Sequence, residues 1–144
     1  MYLKTDFKEG PTIAKARKVR EISFTMQNKV GLLWRVTAAI AGAKVNITAI
    51  CAYAMENSAY FMLTTDSNAK AKKALASLGV GMEEKDVVEV EMLNKAGELQ
   101  KVAKKIADAG IDIEYMYAAA GAGKTAICVF KTADDKKAIK VINK

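Results

Sequence analysis

The chain has 144 residues, 51% of them hydrophobic and only one of them proline, so it can bury a core as one ordinary domain or two small ones, and long disorder is excluded. It contains no histidine, which removes the usual acid–base group at neutral pH and the commonest metal ligand, and with them any Ser-His-Asp or Cys-His site. The net charge of +7 gathers near the two ends without interleaved aromatic residues, which argues for solvated surfaces rather than a nucleic-acid groove.

Residues 1–19 open as the polar and charged MYLKTDFKEG and are read as an N-terminal arm. This start has no secretory character, and no apolar run approaches the roughly 20 residues of a spanning helix, so a cytoplasmic protein without membrane contact is expected. EISFTMQ, at 21–27, alternates like a strand, and a polar turn ending in Gly31 follows. Leu33, Val36, Ile40 and Ala43 then recur at helical spacing. VNITAICAYA (45–54) and AYFMLTTD (59–66) read as strands joined by a short turn, AKAKKALASL (69–78) as a second helix, and Val80 to Glu84 as a short closing strand.

The pattern then starts again. VVEVEML (87–93) is a strand, the next turn ends in Gly97, and Leu99, Val102, Ile106 and Ala109 repeat the helical stripe. Strands IDIEYMYAAA and TAICVFKT and a helix over 134–143 complete the copy. Asn28/Asn94, Lys29/Lys95, Gly31/Gly97, Leu33/Leu99, Val36/Val102, Ile40/Ile106, Ala43/Ala109 and Ile47/Ile113 are identical pairs at an offset of 66 without a gap. One β-α-β-β-α unit has been used twice, over residues 20–84 and 85–144. The chain ends before a last strand of the second copy, so a sheet edge is expected that either the N-terminal arm or a second chain protects.

Within the second copy, Gly121-Ala-Gly-Lys-Thr125 invites comparison with a phosphate-binding loop. That loop needs a glycine at 118, where alanine stands, and a helix afterwards, whereas AICVFK is rich in strand-forming residues. The glycines are read instead as supplying positive φ to a tight hairpin, with Lys124 beginning the next strand. Cys51 and Cys128 lie in apolar stretches and read as reduced thiols without metal spacing.

A split β-α-β repeat folds as a ferredoxin-like sandwich. The segments Asn28-Lys-Val-Gly31-Leu-Leu and Val45-Asn-Ile47, with Asn94-Lys-Ala-Gly97 and Ile111-Asp-Ile113, resemble the ACT domain, and the chain is similar to small bacterial proteins of two such domains in tandem. The resemblance covers residues 20–143. It implies an α+β fold of two tandem ferredoxin-like (βαββαβ) domains, each an antiparallel sheet with helices on one face. It also implies a non-catalytic regulatory module holding an amino acid at a domain seam, as a homodimer, without a cofactor. A separate metabolic enzyme is the implied partner, and a structural subunit with vestigial sites is the alternative.

The residues it implies for ligand binding are Asn28, Lys29, Val30, Gly31, Leu32, Leu33, Asn46 and Ile47 in the first copy, and Asn94, Ala96, Gly97, Glu98, Leu99, Asp112 and Ile113 in the second. An amino acid needs donors for its carboxylate and acceptors for its ammonium. A loop entering a helix N-terminus offers free N–H groups, glycine lets that backbone approach, and asparagine carries both a donor and an acceptor. Asn28 reads equally as a turn or capping residue, Asn46 as a polar residue on an open sheet face, and Asp112 as a solvated carboxylate. Val30 and Ala96 stand where the family commonly has proline, and Asp112 replaces the asparagine of the first copy. Trp34, off the helix stripe, reads as seam or dimer packing, and Tyr115 and Tyr117 as sheet-face packing.

Overall fold

The computed structural model describes residues 14–144; residues 1–13, most of the expected arm, lie outside the described residues. The elements follow the order β1 (Lys15–Gln27), α1 (Leu32–Gly42), β2 (Ile47–Met55), β3 (Ser58–Thr65), α2 (Asn68–Ala76), β4 (Met82–Leu93), α3 (Glu98–Asp108), β5 (Ile113–Ala119), β6 (Thr125–Thr132) and α4 (Asp135–Ile142). They divide into two compact units, one of residues 19–86 and one of residues 87–144 together with 14–18. Each is a ferredoxin-like α+β unit.

In the unit 19–86 the strand order is β2-β3-β1-β4, with β1 and β2 both antiparallel to β3. Ile22, Phe24, Ala59, Phe61 and Leu63 alternate along their strands, as period two requires, and meet Leu32, Val36, Ile40, Ala71 and Leu75 of the helices in one core. Phe24 and Phe61, paired across β1 and β3, stack at 4.9 Å. The helical stripe differs from the expected one by its first member. Leu32 is buried and Leu33 is 54% exposed. At 100° per residue, Leu32, Val36, Ile40 and Ala43 fall within an arc of about 80°, and Leu33 lies at its rim. The second copy behaves alike, with Glu98 buried and Leu99 exposed.

In the other unit the order is β1-β4-β6-β5, and Val88, Val90, Val102, Ile106, Cys128, Phe130, Ala138 and Ile142 form the core. Its fourth strand comes from the start of the described chain. Ala14 and Ala16 join this core, and Asn143, at the end of α4, donates from Nδ2 to Ala16 O at 2.9 Å and accepts from Ala16 N–H at 2.7 Å. Arg17 pairs with Glu89 at 2.7 Å. The strand read as 21–27 therefore begins at Lys15, and its first residues supply the fourth strand of this unit. Likewise the strands read as 80–84 and 87–93 are one continuous strand, β4.

From β6 onward the offset between copies is 67 rather than 66, as Ser58/Thr125 and Asn68/Asp135 open matching elements. Thr65 and Thr132 show the match in detail. Each threonine Oγ1 donates to the residue opening the next helix, Asn68 or Asp135, and accepts from the N–H of Ser67 or Asp134, all between 2.7 and 3.2 Å. The extra residue lies in the second hairpin, which turns over residues 120–124, against Glu56-Asn57 in the first.

Candidate ligand site

The first loop begins where β1 ends. Asn28 N–H donates to Asn57 O at 2.8 Å, tying the loop to the β2–β3 hairpin. Gly31 then takes φ 87°, ψ 1°, and its carbonyl accepts from Arg35 N–H at 3.1 Å to start α1. A Cβ on Gly31 would meet nothing within 4 Å, so glycine is required here by the left-handed backbone and not by crowding. No side chain caps α1 and no acidic residue stands in its first turn. The N–H groups of Leu33 and Trp34 therefore have no intrahelical acceptor, and the helix dipole there favours an anion.

Around this opening Lys29, Val30, Leu33 and Trp34 are exposed, Val30 completely and Trp34 by 73%. The Asn28 side-chain amide is exposed and has no hydrogen-bond partner among the described residues. It is not the cap of α1, a position held by Gly31. Leu32 contributes only backbone, since its side chain lies in the core.

Asn46 stands at the other end of α1. Eleven helical residues at 1.5 Å each separate the two asparagines by about 16 Å, so one unit does not bring Asn28 and Asn46 onto one small ligand. Asn46 and Asp66 hold each other through Asn46 N–H to Asp66 Oδ1 at 2.9 Å and Asp66 N–H to Asn46 O at 3.0 Å, which leaves the exposed Asn46 amide uncommitted. Ile47 and Ile113 are half-buried and pack on their respective cores. Asp112 is exposed, and its carbonyl accepts from Ala133 N–H at 2.9 Å.

The second loop repeats the backbone of the first. Gly97 has φ 87°, ψ −9°, and accepts from Lys101 N–H at 3.1 Å. Lys95, Ala96 and Leu99 are exposed. Two side chains differ in what they do. Asn94 Nδ2 donates to Gly121 O at 2.8 Å and Gly123 O at 3.0 Å, and Glu98, buried, pairs with Lys101 at 2.8 Å. Nothing in the sequence pattern pointed to the Asn94 contacts; an offset changing from 66 to 67 was the one trace of a longer hairpin.

That hairpin corrects an expectation. Neither Gly121 nor Gly123 takes positive φ, and Lys124 closes the turn rather than beginning β6. A five-residue loop reverses the chain without a left-handed residue, whereas the two-residue turn of the first copy places Glu56 at φ 57°. The segment after Thr125 is a strand, so the loop lacks the helix that a phosphate cradle uses.

Residues 17–144 match the profile of the ACT domain pair. The chain belongs to the ACT domain pair family. No curated protein matches it. Among solved structures, this ACT domain pair is similar to a protein from Bacteroides thetaiotaomicron, at 29% identity and TM-score 0.81, over 89% of this chain and 88% of that one. The ligand-free regulatory subunit of aspartate kinase from Thermus thermophilus shares the fold at 14% identity and TM-score 0.63, over 93% and 97% of the two chains. E. coli aspartokinase III, solved in complex with lysine and aspartate, shares it at 18% identity and TM-score 0.54, over 90% of this chain and 31% of its own. Among the described residues no helix is long and apolar enough to cross a membrane, and no group of three His, Cys, Asp or Glu side chains could hold a metal ion.

Proposed function

We propose that this ACT domain pair is a non-catalytic cytoplasmic sensor that binds an amino acid at residues 28–33. The observation that carries the reading is the opening of α1, where free N–H groups, a left-handed Gly31 and an uncommitted Asn28 amide lie together in an exposed loop. The backbone receives the ligand carboxylate, and Asn28 offers both a donor and an acceptor to the rest. Asn46 serves a ligand held by residues 28–33 of a second copy of the chain. Binding regulates only if the ligand prefers one of two states, so we assign the sensor a second protein whose contact changes with occupancy. A homodimer joined through Val30, Leu33 and Trp34 is part of this reading, since these apolar side chains are exposed beside the loop.

A melting-curve screen of the twenty amino acids tests it. Any amino acid present at about a hundred times its dissociation constant adds roughly 2.7 kcal/mol, a rise of about 5 to 10 °C for a chain of this size. Asn28→Ala and Asn46→Ala should each remove most of that rise. No shift with any amino acid at millimolar concentration would leave the second reading, a subunit that docks on a separate enzyme without sensing. That reading draws on a solved regulatory subunit of aspartate kinase whose chain is spanned almost end to end.

A further inference from the structure

The two loops share a backbone but not a state of occupation. The Asn94 amide nitrogen has two hydrogens, and both are given to the hairpin, at Gly121 O and Gly123 O. No donor on this side chain is left for a ligand. The acceptors are there because the second hairpin is longer; in the first copy Asn57 O takes only the backbone N–H of Asn28. The helix start is also filled differently. Glu98 places a buried carboxylate in the first turn of α3, where the position in α1 is Leu32. A resident carboxylate already complements the helix dipole, and it takes up the charge of Lys101, to which it is paired at 2.8 Å.

We propose that the loop of residues 94–99 is closed by the chain itself, with Asn94 acting as a clasp on the Gly121–Gly123 hairpin, so that an amino acid is taken only at residues 28–33, one per chain. The clasp stands on the hydrogen bonds alone, while the occupancy rests on the sensor reading above. The glycine-rich hairpin is then a fastening for the second unit and holds no phosphate.

Two measurements on the full chain test this. Without any ligand, Asn94→Ala should lower the melting temperature by about 3 to 6 °C and speed amide exchange in residues 120–124, while Asn28→Ala changes it by about 1 °C or less. Equal melting temperatures and equal hairpin exchange for the two variants overturn the clasp. The second measurement titrates whichever of the twenty amino acids shifts the melting curve most, followed by calorimetry and by the fluorescence of Trp34, the single tryptophan, three residues beyond Gly31. One site per chain is expected, weakened more than about tenfold by Asn28→Ala and less than about threefold by Asn94→Ala, since the first removes a ligand contact and the second does not. Two sites per chain, or a tenfold loss with Asn94→Ala, overturn the proposal. If no amino acid binds while Asn94→Ala still loosens the hairpin, the sensor reading and the occupancy half fall together and the clasp remains.

Discussion

Gly31 and Gly97 hold the same left-handed backbone, at φ 87° in both copies, with open space where a side chain would go. Glycine is thus demanded by the turn itself and not by any neighbouring atom. Gly31→Val should cost about 2 kcal/mol through backbone strain alone, visible as a lower melting temperature before any ligand is added. A variant as stable as the parent would mean that the loop relaxes to another conformation. Glu84 supplies a second residue-scale test. Lys72 Nζ donates to it at 2.6 Å and Asn68 Nδ2 at 2.9 Å, and these bonds hold its carboxyl below the usual range. A carboxylate with a lowered folded pKa stabilises above its unfolded value of about 4.3, and that stability is lost as pH falls through the folded value. Glu84→Gln should therefore cost about 1 kcal/mol at pH 7 and nearly nothing at about pH 3, measured by urea denaturation at both. A cost unchanged by pH would show that packing, not charge, is at stake.

Among the elements, β1 is the one whose role reaches furthest. Residues 15–18 complete the unit of residues 87–144, and residues 19–27 belong to the other unit. The beginning of the described chain is thereby required by its end. Asn143 fastens that contact through two hydrogen bonds to the Ala16 backbone, in a partly buried setting. Asn143→Ala should destabilise by about 1 to 2 kcal/mol and release the amides of residues 15–18 and of their neighbour β4 to faster exchange. Unchanged exchange there would mean that core packing of Ala14 and Ala16 suffices. The repeat, the β-α-β-β-α order and the loop glycines were all legible, because periods of two and 3.6 and a glycine before a helix are local properties. The extra length of β1 was not. Residues 15–19 read as part of the arm, since Arg17 finds its acidic partner, Glu89, only on β4, 72 positions away in the chain.

For the molecule as a whole, the unequal loops matter more than the equal folds. Val30, Leu33 and Trp34 give residues 19–86 an exposed apolar cluster, while the matching positions of the second copy are Ala96, Leu99 and Gln100. A self-complementary contact through the first cluster is the simplest closed assembly. Sedimentation at micromolar concentration should give twice the chain mass, and Trp34→Lys should shift it toward the monomer. A monomer in the parent protein would remove the dimer from the proposed function.

The sequence by itself determined what repeats along one strand or helix: two copies, their elements, most of the buried stripes of α1 and α3, and the glycine that opens each first helix. Where it misplaced a residue, as with Leu33 for Leu32, the two lay at opposite edges of one apolar arc. Only the tertiary structure decided that residues 15–18 complete the second unit, and that Asn94 is committed while Asn28 is not. Both decisions join positions far apart in the chain, Ala16 to Asn143 and Asn94 to Gly121 and Gly123. A hydrogen bond of that kind leaves no period in the sequence, because the identical asparagines acquire different partners only when a hairpin one residue longer is folded against one of them.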